Sequence, residues 1–265
     1  MSVKGFSRRP EVYERGRPGY PDAVVDLLRR HGGLSAASLV VDLAAGTGKL
    51  TRQLAQVSAR CIAVEPSAAM RSVFSERVPG VPVVAGVAEA IPLLTATCDV
   101  VTAAQSFHWF DPGGSLGEIV RVLRPGGTVA LLWNERDESV PWMAELGRLL
   151  RTVGDAPYWS ALEFLPVLAR SPNLVDVVRE SVRFDVPVDR SGLVDLVASR
   201  SYVNVLGADD RSRVLDRVAR LAGTLPEPIV VPYRTEVLLA RAVGAGQHES
   251  LGGPRTPGTP AGERG

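Results

Sequence analysis

Apolar positions recur along this chain in two rhythms. Mainly apolar runs stand at Val40, Val41 and Leu43, then over 61–64, 81–85, 99–103 and 129–133. Runs of this kind without polar alternation suit strands covered on both faces. Between them apolar residues return at helical spacing: Val24, Val25, Leu27 and Leu28 before the first strand, Leu50 and Leu54 after it, and Ile119, Val120 and Leu123 before the fifth. The alternation predicts an α/β domain with a mainly parallel sheet, helices over 49–57 and 116–123, and a stop at Arg124-Pro125-Gly126-Gly127. Beyond Asn134 the rhythm changes. Residues 142–153, 193–206 and 211–221 read as helices, 183–186 alternates like a sixth strand, and 229–239 reads as a last strand.

Composition narrows the class. A chain of 265 residues, 45% hydrophobic with a formal charge of +1, can bury one generous core and gives no pull toward nucleic acid, a membrane surface or disorder. Cys61 and Cys98 each stand beside a strand without metal-ligand spacing, so two buried thiols and no metal are expected. The absence of an apolar leader and of any 18-residue apolar run predicts a soluble, cytoplasmic protein. Residues 244–265 are Gly, Pro, Ser, Thr and charge, the composition of a disordered tail.

Candidate chemistry begins where the first strand ends, at Asp42-Leu43-Ala44-Ala45-Gly46-Thr47-Gly48-Lys49-Leu50. Two glycines after a strand allow bare backbone to approach a ligand. A phosphate-binding loop needs a hydroxyl after the lysine, and Leu50 stands there. A dinucleotide fingerprint needs a third small residue where this chain has Thr51. What remains is an acid with glycines four and six residues after it. Glu65 closes the second strand about twenty residues beyond the turn, a spacing at which a carboxylate meets ribose hydroxyls.

The stretch from Asp42 to Gly48 resembles motif I of the class I S-adenosylmethionine-dependent methyltransferases. The segments Tyr13-x-x-x-Arg17-Pro18-x-Tyr20-Pro21 and Gln105-x-Phe107-His108-Trp109-Phe110 are similar to those of the methyltransferase type 11, trans-aconitate methyltransferase-like group. The resemblance runs over about 12–240 and is specific over 42–133. It implies a Rossmann-like seven-stranded sheet, mostly parallel with an antiparallel last strand inserted beside the fifth, helices on both faces and a helical cap. It divides the chain into an arm and helix closing over the cofactor (1–34), a methyltransferase domain (35–243) with cap insertions at about 141–176 and 189–226, and the tail.

S-adenosyl-L-methionine is the implied cofactor. Asp42, Ala44, Gly46, Gly48 and Glu65 are its expected contacts, with Tyr13, Arg17 and Tyr20 from the arm and Met70 beside the adenine. Ala88 and Glu89 are the candidates for the adenine amine, because Val87 stands where the group often carries an acid. Gln105 is a further cofactor contact, and His108 a general base or an orienting group. A small-molecule acceptor is expected. Methylation at oxygen or carbon is favoured, because no Asp/Asn-Pro-Pro-aromatic tetrad follows the fourth strand. Cap arginines (Arg148, Arg151, Arg200) suit an acidic acceptor, and an aromatic cap suits a flat apolar one. Oligomeric state is not legible. Two other readings share parts of this pattern: a non-catalytic protein binding S-adenosylmethionine or S-adenosylhomocysteine, and an NAD-dependent oxidoreductase.

Overall fold

The computed structural model describes residues 17–152 and 160–243. Tyr13, the start of the arm, the segment 153–159 and the tail lie outside them. The elements are α1 (Asp22–His31), β1 (Val40–Leu43), α2 (Thr51–Leu54), β2 (Cys61–Val64), α3 (Ala68–Arg77), β3 (Val83–Val84), β4 (Cys98–Ala104), α4 (Pro112–Val122) and β5 (Leu123–Arg136). There follow α5 (Pro141–Arg151), α6 (Leu165–Ala169), β6 (Leu174–Val188), α7 (Arg190–Ala198), α8 (Ser201–Asn204), α9 (Ala208–Gly223) and β7 (Ile229–Ala242), with short 3-10 turns at Phe107–Trp109 and Ala161–Glu163. No helix among the described residues is long and apolar enough to cross a membrane.

The seven strands form one sheet in the order β3-β2-β1-β4-β5-β7-β6. Pairings from β3 through β5 are parallel, and β7 runs antiparallel between β5 and β6. The expected topology is therefore present. Side-chain alternation along each strand sorts residues to two faces. Val41, Val101, Val129, Leu131, Trp133, Leu238 and Ala240 pack with α4, α6 and the Ala161–Glu163 turn. Val40, Val100, Ala130, Leu132, Val237 and Leu239 pack with α1 and α2. A carboxylate at Asp42 and a hydroxyl at Thr102 interrupt the second face, in register opposite one another.

The boundaries differ from the sequence reading where polar residues hide periodicity. β5 starts at Leu123, because Leu123 already pairs with Cys98 and the exposed glycine turn sits inside the strand at a register shift. Asp99 ties this irregularity down, accepting 2.6 Å contacts from the Leu39 amide and the Arg124 guanidinium. β6 runs from Leu174 and not only over 183–186, since an edge strand half open to water carries charge along its length. α2 is one turn, where residues 49–57 suggested more.

A second apolar core lies beyond the sheet. Met143 and Leu146 of α5, Leu193 and Val197 of α7, and Val218 and Ala222 of α9 close over the first residues of β7, Ile229, Val231 and Tyr233. The cap helices thus gather here. Ala161, Phe164 and Leu168, placed with the cap by the sequence, instead belong to the sheet core. The reason is a parallel stack: the Phe164 ring lies 5.1 Å from that of Trp133 at an interplanar angle of 2°.

Candidate active site

The exits of β1 and β4 lie side by side, Leu43 opposite Ala103. In an open α/β sheet, ligands bind at these carboxyl ends. Both exits turn through left-handed backbone: Ala44 has φ 50°, Gly46 59°, Gly48 84° and Gln105 56°. Such conformations cost a residue with a Cβ about 1–2 kcal/mol, and their clustering marks a functional loop. At Gly46 an added Cβ would meet nothing within 4 Å, so bare backbone faces open space. Gly48 has the opposite surroundings, since a Cβ there would fall 2.4 Å from Val78 and 2.8 Å from the Phe74 ring of α3 and its C-cap. One glycine leaves room for a ligand, and the other lets the loop seat on the next helix.

The two acids hold this loop from below and from the side. Asp42 is buried, accepting from the Thr51 hydroxyl at 2.5 Å and the Thr102 hydroxyl at 2.7 Å. Burial outweighs these two bonds and pushes its carboxyl up to about 6, with the charge of Glu65 adding to the rise. Glu65 accepts from the Gly46 amide at 2.9 Å and the Ser67 amide at 2.8 Å, and burial raises its pKa as well. Each Glu65 oxygen has capacity for a second donor, the geometry a vicinal diol needs. Asp42 is placed differently from the expected position at the strand tip: it lies within β1 beneath the loop, its oxygens turned to threonine hydroxyls. Thr51, the residue that spoils a dinucleotide fingerprint, is what orients it.

At the exit of β4, the Gln105 amide donates to Leu132 O at 2.8 Å, and its side-chain amide donates to Asn134 O at 3.1 Å. Asn134 donates in turn to Gly19 O at 2.9 Å, and Gln53 donates to Tyr20 O at 2.7 Å. Gly19 and Tyr20 of the arm are therefore tied to the end of β5 and to α2. Arg17 is close enough to His108 for its charge, after burial, to help hold the imidazole down at about 4. His108 Nδ1 accepts a long 3.4 Å contact from the Trp133 indole, so the neutral ring carries its proton on Nε2. Its neighbours differ in role: Phe107 is fully buried against Phe110 and Phe164, whereas Trp109 is exposed.

Other expected residues are peripheral to these bonds. Ala88 is buried in the sheet core, and Met70 is buried on α3 after the Ser67 cap. Glu89 accepts from the Asp111 amide at the start of α4. Tyr13 lies outside the described residues. Thr51, Thr102 and Asn134 were missed by the sequence reading. Their only sequence signal is a polar residue inside or at the end of an apolar run.

A family profile described as a methyltransferase domain matches residues 41–131, the stretch that carries the loop and both acids. Over a much longer span, the chain is 39% identical across 238 residues to an uncharacterised methyltransferase of Mycobacterium tuberculosis H37Rv, covering 87% of this chain and 92% of that relative. The chain belongs to the class I methyltransferases. This methyltransferase is also 27% identical over 213 residues to the malonyl-[acyl-carrier protein] O-methyltransferase of Methylococcus capsulatus, covering 74% of this chain and 75% of the relative. Among solved structures, a candidate type II methyltransferase from Anaeromyxobacter dehalogenans superposes with a TM-score of 0.59 and 26% identity, over 86% of this chain and 97% of the other. The family and the strand order agree with the type 11 resemblance read from the motifs.

Proposed function

We propose that this methyltransferase uses S-adenosyl-L-methionine to methylate an oxygen or carbon of a small-molecule acceptor. The observation that carries the reading is the Gly46 to Glu65 bond: it joins a bare backbone loop facing open space to an acid with spare acceptor capacity, at the exits of β1 and β2. Those residues fit the cofactor, with the Gly46–Gly48 backbone beside its amino-acid portion, Glu65 at its ribose, Met70 and Ala88 flanking the adenine, and Gln105 closing the far side. Bound there, the cofactor supplies a methyl group already activated on a sulfonium. The protein's own task is then alignment and exclusion of water, which can provide much of the rate.

His108 enters as a donor. A neutral imidazole whose Nδ1 accepts from Trp133 presents Nε2–H, which suits orienting an acceptor oxygen better than removing its proton. Arg17 and the arm cover this side. The oxygen preference is in keeping with the acyl O-methyltransferase among the relatives.

Calorimetric titration tests the reading. S-adenosylmethionine and S-adenosylhomocysteine are expected to bind competitively with one-to-one stoichiometry, and Glu65→Ala to weaken both at least tenfold. Folded protein that binds neither would overturn it. Binding without methyl incorporation into any acceptor would favour a non-catalytic cofactor-binding protein.

A further inference from the structure

The last turns of α5 and α9 enclose a cleft of about 830 Å³ that the methyl-transfer reading does not use. Arg148 and Arg151 line it from α5, Arg217 and Arg220 from α9, and Glu145 is the one carboxylate among the described residues on its wall. Buried Leu149 and Leu221, anchored in the cap core, set the two arginine rows on facing helices. Arg151 is held by Glu138 at 2.9 Å. Arg148, Arg217 and Arg220 make no hydrogen bond or ion pair among the described residues.

Each row is a like-charge pair three residues apart, an arrangement that weakens a helix by a few tenths of a kcal/mol. A helix C-terminus welcomes a cation in its last turn, which accounts for an arginine on either helix. It does not account for four arginines lining one concavity, three of them without an ion pair among the described residues, in a chain whose formal charge is +1. Guanidinium forks match phosphate oxygens two at a time, and a cavity of this size is in the range that holds small molecules. We propose that this cleft binds a small molecule carrying two or more phosphate groups. The lining on α5 runs from Glu145 to the C-cap Thr152, about 6 to 16 Å from the helix end nearer β5. The proposal stands independently of the cofactor assignment.

Titration calorimetry of inorganic pyrophosphate into the full chain, at low and moderate salt, tests it. One-to-one binding that weakens with salt is expected. The double variant Arg217→Gln/Arg220→Gln, and separately Arg148→Gln, should weaken it tenfold or more with unchanged melting, whereas Arg211→Gln, on the same helix outside the cleft, should leave it intact. Decyl diphosphate distinguishes the two sources of such a group. Tighter binding that couples to S-adenosylhomocysteine identifies the phosphate end of a methyl acceptor, and affinity equal to pyrophosphate identifies a free phosphorylated ligand. No binding at low salt, equal loss in Arg211→Gln, or sulfate binding as tightly as pyrophosphate overturns the proposal. So does capture of polyglutamate in place of pyrophosphate, which would assign the cleft to an acidic protein surface.

Discussion

Asp42 and His108 are both perturbed by burial, in senses that oppose one another as pH changes. The Asp42 carboxyl is raised to about 6, so the folded chain holds that proton more tightly than the unfolded one, and stability gains as pH falls from about 6 to about 4. His108 is lowered to about 4, so the folded chain resists protonation and stability is lost as pH falls from about 6.5 to about 4. Each effect is worth about 3 kcal/mol, and in the native sequence the two oppose one another. Asp42→Asn should expose the histidine's slope and unfold more easily at pH 4.5 than at 7.5. His108→Gln should do the reverse. Urea midpoints at the two pH values check this, and parallel behaviour of the two variants would contradict it. As an orienting donor, His108 should also be replaced better by Gln than by Ala in kcat/KM, since only Gln keeps an N–H near the acceptor. Both acids were legible because a charge ending an apolar run stands out. Thr51 and Thr102 were not, because finding them requires the register of Asp42 against a strand sixty residues away.

The loop between β1 and α2 shows how little freedom an element has once its neighbours are fixed. Gly48 sits at φ 84° against Phe74 and Val78, so Gly48→Ala combines backbone strain with overpacking. A loss of about 2–4 kcal/mol is expected in chemical denaturation. A change below about 0.5 kcal/mol would mean that the loop does not rest on α3. Sequence patterning located each buried strand of the parallel half, because a strand covered on both faces leaves a dense apolar signature. It under-read β6, whose Arg179, Arg183 and Asp185 belong to an exposed edge, and it could not tell that Phe164 stacks on Trp133 and leaves the cap for the sheet. Composition identifies an apolar residue, and topology alone decides which core it joins.

At the scale of the molecule the described residues place apolar cores on both faces of the sheet and another beneath the cap. The expected cofactor contacts within the described residues lie on the sheet side. Leu193→Ala, in the cap core, should therefore cost about 2–4 kcal/mol locally. Hydrogen exchange should quicken in α5, α7 and α9 more than in β1 and β4, with S-adenosylhomocysteine affinity changed by less than threefold. Uniform acceleration would show instead that cap and sheet open as one unit. The arginine cleft was only partly legible for a related reason: Arg148 and Arg151 were named with Arg200 as cap arginines, but their placement beside Arg217 and Arg220 depends on how α5 and α9 pack.

The bond between these centres has a mechanical character. β5, β6 and β7 have 14, 15 and 14 residues, and β6 and β7 pair from Leu174 opposite Ala242 to Val188 opposite Ile229, with one register shift between Val175 and Val178. Along β7 the chain passes from the cap core at Tyr233 to the sheet core at Val237 without leaving the ladder. Such a ribbon behaves as a cantilever. Movement of the cap relative to the sheet is therefore expected to be carried by twisting of this ribbon, which would show as loss of amide protection along β6 and β7.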